Sequence, residues 1–256
     1  MQAEVTLLGT GTSTGVPMLG CRCETCTSQD SRDQRLRASA LVRWQNRCAV
    51  IDTTPEFRLQ LLREKVRSLD AVLLTHHHAD HINGFDDLRQ FTFKTADPIP
   101  VYGSPSALAG IRHQFNYIWE ATQVGGGLPK VRLIPVRRAF SIHGLQVAPV
   151  PVKHGCLTVY GYRIGDLAYI SDVSHIPDES HPLLDGIRTL IIDAVRYRHH
   201  STHFNLEEAL AAARRIGSER TILTHLNHNF LHGKLAEELP DGVEPGRDGL
   251  RVTATV

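Results

Sequence analysis

His76, His78, Asp80 and His81 stand in the run Thr75-His76-His77-His78-Ala79-Asp80-His81, which has H-x-H-x-D-H spacing. Neutral imidazoles and a carboxylate are donors for zinc and similar divalent ions. On a turn, alternate residues point in two directions, so one such run can feed two adjacent metals. His77 fills an x position and is not expected to be a ligand. A lone histidine is usually a surface residue. Here four ligand-type side chains follow Asp70-Ala71-Val72-Leu73-Leu74, an apolar run that reads as a buried strand. Asn83-Gly84 and then Asp86-Asp87-Leu88-Arg89, which read as a helix start, come after it. The donors are therefore expected on a strand-to-helix turn, where side chains are exposed and the backbone is held.

A second set of donors lies in Gly20-Cys21-Arg22-Cys23-Glu24-Thr25-Cys26. Three thiols at C-x-C-x-x-C spacing can wrap one ion from a single loop, spanning about residues 20–27. Structural zinc is four-coordinate, so one more ligand must come from elsewhere in the chain. Free or redox-active thiols are the competing reading. A catalytic thiol fits less well, because three thiols together serve a metal better than a nucleophile.

Other elements must position these groups. Residues 5–8 read as a strand running into the glycine-rich turn at 9–17. That turn lacks the Lys-Ser/Thr ending of a phosphate-binding loop and no helix pattern follows it, so it is read as a hairpin loop near the site. Residues 38–44 and 48–51 read as a hairpin ending at Asp52, which by its residue type can cap a helix over 55–67. Further strands are expected over 99–103, 131–136, 140–142, 145–152, 157–164, 167–170, 189–194, 221–228 and 250–255. Helices are expected over 87–93, over 105–119, and from an Asn205 cap to Gly217. Gly125-Gly126-Gly127 reads as a surface loop. Periodicity supports an α/β class with one domain over residues 1–256.

Composition limits the function classes. A hydrophobic content of 41% supplies a sizeable core, and Lys+Arg 28 against Asp+Glu 27 leaves no global field to draw in nucleic acid. Fifteen histidines are a compositional hint of metal. No apolar run approaches a membrane span, and the N-terminus has no signal-peptide pattern. Five cysteines, three of them clustered, argue for a reducing, cytoplasmic setting and against a disulfide framework.

The His-Asp run resembles the signature of the metallo-β-lactamase-fold hydrolases. With the cysteine loop and the Thr224-His225-Leu226-Asn227-His228 ending, the chain is similar over nearly its whole length to the PhnP family. These are phosphodiesterases of the phosphonate-degrading carbon–phosphorus lyase pathway that carry an extra zinc on such a loop. The resemblance implies a four-layer αββα sandwich made of two successive β/α halves. It implies that His76, His78 and His154 hold a first metal, that Asp80, His81 and His225 hold a second, and that Asp172 bridges them. His154 and Asp172 end successive strands in the order that fold requires, and the resemblance implies that Asp52 supports the site from behind, the alternative to its capping role. His228 would complete the site of Cys21, Cys23 and Cys26, with His232 the alternative. His203 stands where PhnP-like and transfer-RNA-processing relatives place a helper histidine, and is expected as general acid or phosphate ligand. His199 or His200 could substitute for it, and Asp80 is counted as catalytic as well as a ligand.

The implied cofactors are two divalent metals, zinc or manganese, plus one structural zinc. The implied reaction is attack of a metal-bound hydroxide on a small phosphodiester such as a cyclic ribose phosphate. A transfer-RNA 3′-end endonuclease is the first alternative. It usually carries a long basic arm, whereas the longest candidate loop here is residues 125–130. A thioester hydrolase or a β-lactamase is the second. The expected partner is a small-molecule substrate, with a homodimer allowed and neither nucleic acid nor a membrane expected.

Overall fold

Ala40, Val42 and Trp44 face one apolar cluster, while Leu41 between them faces another. A period of two with both faces buried is what a strand inside a layered molecule requires. The computed structural model, which describes residues 1–93, 97–120 and 127–256, repeats this pattern in two sheets. The first is ordered β14 (Arg251–Thr255), β1 (Gln2–Gly9), β2 (Ser39–Trp44), β3 (Arg47–Ile51), β4 (Ala71–Leu73), β5 (Ile99–Gly103), β6 (Val131–Pro135). The second is ordered β13 (Val243–Pro245), β12 (Arg220–Thr224), β11 (Thr189–Asp193), β10 (Leu167–Ile170), β9 (Leu157–Ile164), β8 (Leu145–His154), β7 (Phe140–Ile142). Strands β3 to β6 are mutually parallel, as are β10 to β13.

Three apolar clusters separate four layers. Val5, Trp44, Ile51 and Leu73 of the first sheet meet Val147, Tyr162, Tyr169 and Ile191 of the second. The outer face of the first sheet packs on α1 (Phe57–Arg63) and α4 (Pro105–Gln114) through Leu61, Leu108 and Ile111. The outer face of the second packs on α5 (Leu206–Ile216) and α6 (His232–Glu238) through Ala209, Ala213 and Leu235. Two one-turn helices, α2 (Ala79–Ile82) and α3 (Arg89–Thr92), follow β4. The architecture is the αββα sandwich.

Several element ends differ from the sequence reading. Helix α1 stops at Arg63 because Lys65 turns left-handed at φ 54°. The stretch 87–93 divides into a 3-10 turn, Phe85–Leu88, and α3. Helix α4 ends at Gln114 and a 3-10 turn, Asn116–Ile118, follows. The strand expected over 221–228 ends at Thr224. Helix α6, β13 and the 3-10 turn Asp178–Leu184 had no signal strong enough to be read. Helix α5 matches: Asn205 and Glu208 form a reciprocal capping box, and Gly217 closes it at φ 77°. Gly125 and Gly126 of the expected surface loop lie outside the described residues. Among the described residues no helix is long and apolar enough to cross a membrane.

Candidate functional site

Asp52 and His225 directly follow β3 and β12, Asp172 stands two residues past the end of β10, and the three take left-handed backbone at φ 64°, 58° and 62° in that order. A non-glycine residue there costs of order 1–3 kcal/mol, and such conformations gather at functional sites. The left-handed step breaks the strand and turns the next side chain out of its alternation. All three side chains are buried, and all three point into one cluster.

Asp172 is its centre. Its Oδ2 lies 3.6 Å from His76 Nε2 and 3.9 Å from His154 Nε2. Its Oδ1 lies 3.2 Å from His81 Nε2 and 3.2 Å from His225 Nδ1. Donor atoms of His76, His78, His154 and Asp172 all fall within 4.8 Å of one another, and so do those of His81, Asp172 and His225. Asp80 stands beside the second group, its Oδ2 3.4 Å from His81 Nε2. Sequence reading grouped these seven residues, and the fold brings all seven together.

The inward nitrogens have no hydrogen-bond partner: His76 Nε2, His81 Nε2 and both nitrogens of His225 are buried and unsatisfied. Leaving buried polar atoms unpaired is costly, and a divalent ion is what such converging lone pairs suit. Charge agrees. Burial alone would raise the Asp172 carboxyl, but His225 and His81 hold it well below the usual carboxylate range. Burial would lower His81, yet Asp172, Asp80 and Asp52 overcome it and push His81 well above its ordinary value. Burial and the neighbouring His81 push His76 far down, which keeps it a neutral donor. The donor set therefore fits divalent metal, with carboxylate charge concentrated on the side of His81.

Outward nitrogens are anchored. His81 Nδ1 meets Asp52 Oδ2 at 2.7 Å, and Asp52 also accepts from the Thr75 amide and hydroxyl. Asp52 thus supports the site from behind; the N-cap of α1 is Glu56, so the capping role is not taken. His154 Nδ1 donates to the Thr202 carbonyl at 2.6 Å. Such partners fix ring orientation and tautomer. His77 turns away, as expected, and seats its ring on Gly110 in α4; a Cβ there would lie 2.4–2.7 Å from its Cβ, Cγ and Cδ2. The glycine-rich turn is no phosphate cradle. Its Thr10, Gly11 and Thr12 amides are spent on Asp248, Leu36 and Leu226, which ties the turn to the segment carrying His225.

His203 stacks on His225, with centroids 4.8 Å apart, and packs edge-on against His154 at 4.6 Å. Its Nδ1 lies 2.7 Å from Oδ2 of Asp193, a fully buried residue closing β11. Burial lowers the histidine and raises the carboxyl, and the two meet across this short contact. Asp193 was missed in the sequence. The available signal was an acid ending a continuous apolar strand. Of the two substitutes, His199 bonds Glu208 and faces solvent, while His200 lies 5.0 Å from His203, ring to ring.

The thiols converge separately. Cys21, Cys23 and Cys26 Sγ lie 3.2, 3.4 and 3.6 Å from His228 Nδ1. Bond lengths of about 2.3 Å to sulfur and 2.0–2.1 Å to nitrogen at tetrahedral angles put a thiolate roughly 3.5 Å from an imidazole nitrogen, so the four fit zinc. Burial would raise the Cys23 thiol, but hydrogen bonds from the Cys26 backbone and from Cys21 and His228 lower it to about 6. His232 is elsewhere, its amide bonded to Asp33.

Residues 47–226 match the beta-lactamase superfamily domain. A diphosphatase from the PhnP family superposes with a TM-score of 0.93 at 38% identity, covering 99% of this chain and 97% of that one. Coenzyme PQQ synthesis protein B of Methylobacterium radiotolerans is 31% identical over 230 residues, covering 74% of this chain and 72% of its own. An octanoyltransferase of Porphyromonas gingivalis is 39% identical over 249 residues, which is 95% of this chain; the chain spans 50% of that protein's length. The chain belongs to the beta-lactamase superfamily, as a PhnP-like hydrolase of the metallo-β-lactamase fold.

Proposed function

We propose that the protein is a dinuclear metal-dependent phosphodiesterase acting on a small diester. The observation that carries this reading is Asp172, whose two oxygens divide between two groups of histidines. His76, His78 and His154 would hold one ion, Asp80, His81 and His225 the other, and Cys21, Cys23, Cys26 and His228 a structural zinc. Two divalent ions, zinc or manganese, would act as Lewis acids on the phosphoryl oxygens and lower the pKa of a water to about 7.

The chain's own residues supply the rest. Asp172 sets the spacing of the two donor groups, and Asp52 locks the His81 ring. His203 would keep Nδ1–H on Asp193 and, when protonated at both nitrogens, give the Nε2 proton to the departing alkoxide as the phosphorus–oxygen bond breaks, leaving a neutral imidazole. The nearby diphosphatase supports phosphoryl chemistry. Metal titration with bis-aryl and mono-aryl phosphates tests the reading: activity on the diester should rise with two metals. Elemental analysis should give three metals per chain, two here and one at the thiols. At most one metal per chain, or turnover of the monoester alone, would sink it.

One observation favours a second reading, acyl transfer or thioester hydrolysis: the name of the Porphyromonas gingivalis relative. An acyl thioester assayed beside the diester separates the two, since each reading expects turnover of its own substrate only.

A further inference from the structure

Residues 194–205 link β11 to α5 and carry His203. Backbone bonds close this link at its base: the Val195 amide donates to the Phe204 carbonyl, and the Leu206 amide to the Arg196 carbonyl. Two more fasten it to segments that bear candidate ligands. The Phe204 amide donates to the carbonyl of Val173, next to Asp172, and the Asn227 amide to the carbonyl of Val195. Arg196 spends its guanidinium inside the link, on the Arg198 and His199 carbonyls. His200 therefore stands on backbone that is held on both sides.

His200 and His203 are set in opposite hydrogen-bond states. His203 turns Nδ1 to the Asp193 carboxyl. His200 turns Nδ1 to the Thr202 amide at 3.2 Å, with the Thr202 hydroxyl also 3.2 Å from that atom. An amide only donates, so His200 Nδ1 accepts and the ring proton sits on Nε2. Burial, then the neighbouring His203 and Arg196, hold His200 below its ordinary value, which keeps the ring neutral. Among the described residues its Nε2 has no partner, and the atom is open to solvent. The ring meets that of His203 edge-on, centroids 5.0 Å apart, while His203 itself lies against His154 and His225. Thr202 couples the two levels: its carbonyl takes Nδ1 of His154 and its amide serves His200.

We propose that His200 is a neutral hydrogen-bond donor that reads an oxygen of the departing alcohol, on the carbon beside the oxygen that His203 protonates. This rests on the phosphodiesterase reading. In that reading the phosphoryl oxygens belong to the metal-binding groups, and a donor one ring outside His203 is placed for the alcohol. A hydrogen bond reaches about 2.9 Å from each nitrogen, so rings 5.0 Å apart can serve two neighbouring oxygens of one alcohol. A diol or sugar ester offers such a pair, and a simple alkyl ester does not. The substrate class is then a phosphodiester whose leaving alcohol carries a vicinal oxygen.

The test uses the metal-loaded protein and two diesters of equal chain length, bis(2-methoxyethyl) phosphate and dibutyl phosphate. Only the first carries an acceptor oxygen beside the leaving oxygen. The two alcohols differ in acidity, so the quantity read is the change in the ratio of their kcat/KM values from wild type to variant. H200A should lower the ratio of ether to alkyl diester about tenfold, as one well-formed hydrogen bond predicts. H200Q keeps an N–H donor and should retain most of the ratio. Should H200A fail to fold or to load metal, H200L, which fills the space without a donor, gives the same comparison with H200Q. A ratio unchanged by loss of the donor overturns the proposal. Equal losses on both diesters overturn it too, since His200 would then only shape the link. If neither diester is hydrolysed, calorimetry on the same pair decides. Tighter binding of the ether diester that H200A removes keeps the His200 assignment and removes the diesterase reading, and equal binding removes the assignment.

Discussion

Cys21, Cys23 and Cys26 come from one short loop, and with His228 their donors meet at a single point, 3.2–3.6 Å from the imidazole nitrogen. The histidines and aspartates come instead from the ends of β4, β8, β10 and β12, and they surround two points divided by Asp172. Four convergent donors leave a tetrahedral ion no free position, so the thiol centre is suited to hold the chain. Donors spread around two points leave room for a substrate. Both groups nevertheless draw on one loop, with His225 serving one and His228 the other. Arg35 clamps that loop, donating to the Asn227 and Phe230 carbonyls while paired to Asp33. Two groups of donors can thus share backbone yet differ in openness.

Removing the shared carboxylate should separate the two most sharply. Asp172→Ala is expected to cut turnover by roughly 10³-fold or more while the fold and the thiol-bound zinc survive. Near-normal turnover in that variant, or loss of zinc from the thiols with it, would break the distinction.

His203→Ala comes next. It should cost alkyl phosphodiesters about 10²–10⁴-fold and activated aryl diesters much less, because a nitrophenolate leaves without a proton. Metal content should stay at the wild-type level. Comparing kcat/KM on both substrate types decides the role: equal losses point to phosphate binding, and no loss returns His203 to a structural part.

A smaller effect is expected at Gly110, whose missing Cβ makes room for His77. Gly110→Ala would push the turn that carries His76 and His78, and should weaken active-site metal binding about tenfold, the equivalent of ~1.4 kcal/mol. His77→Ala added to it should restore most of the loss. A double variant as weak as the single one would show that the contact does not set the turn.

Cys23→Ser should change the rate per folded molecule least. Opening the closed centre is expected to lower the melting temperature by about 5–10 °C, since structural zinc contributes directly to folding. The Arg35 clamp should keep His225 in place. A collapsed rate in a stable, folded Cys23→Ser protein would assign the thiol loop to the working site.

Much of the site was legible in the sequence because it is local there. His76 to His81 need only a strand before them and a helix after, and both are readable from six to ten neighbouring residues. The thiol loop is legible for the same reason. Strand existence followed from runs such as Thr189 to Asp193, and the cap of α5 from Asn205 and Glu208. Asp193 itself stayed silent. An acid at a strand end looks like any other until the turn bearing His203 is seen to fold over it.

What the sequence alone determined is the set of donor types, their spacing within each turn, and the alternation that buries both faces of each strand. Tertiary structure decided which turns meet. It gave Asp172 one oxygen for each group of histidines, chose His228 over His232, and chose support of His81 over helix capping for Asp52. The physical reason is one of range. Periodicity and turn chemistry act over a few residues, whereas the left-handed steps at Asp52, Asp172 and His225 are held only by sheets already in register and by partners far along the chain.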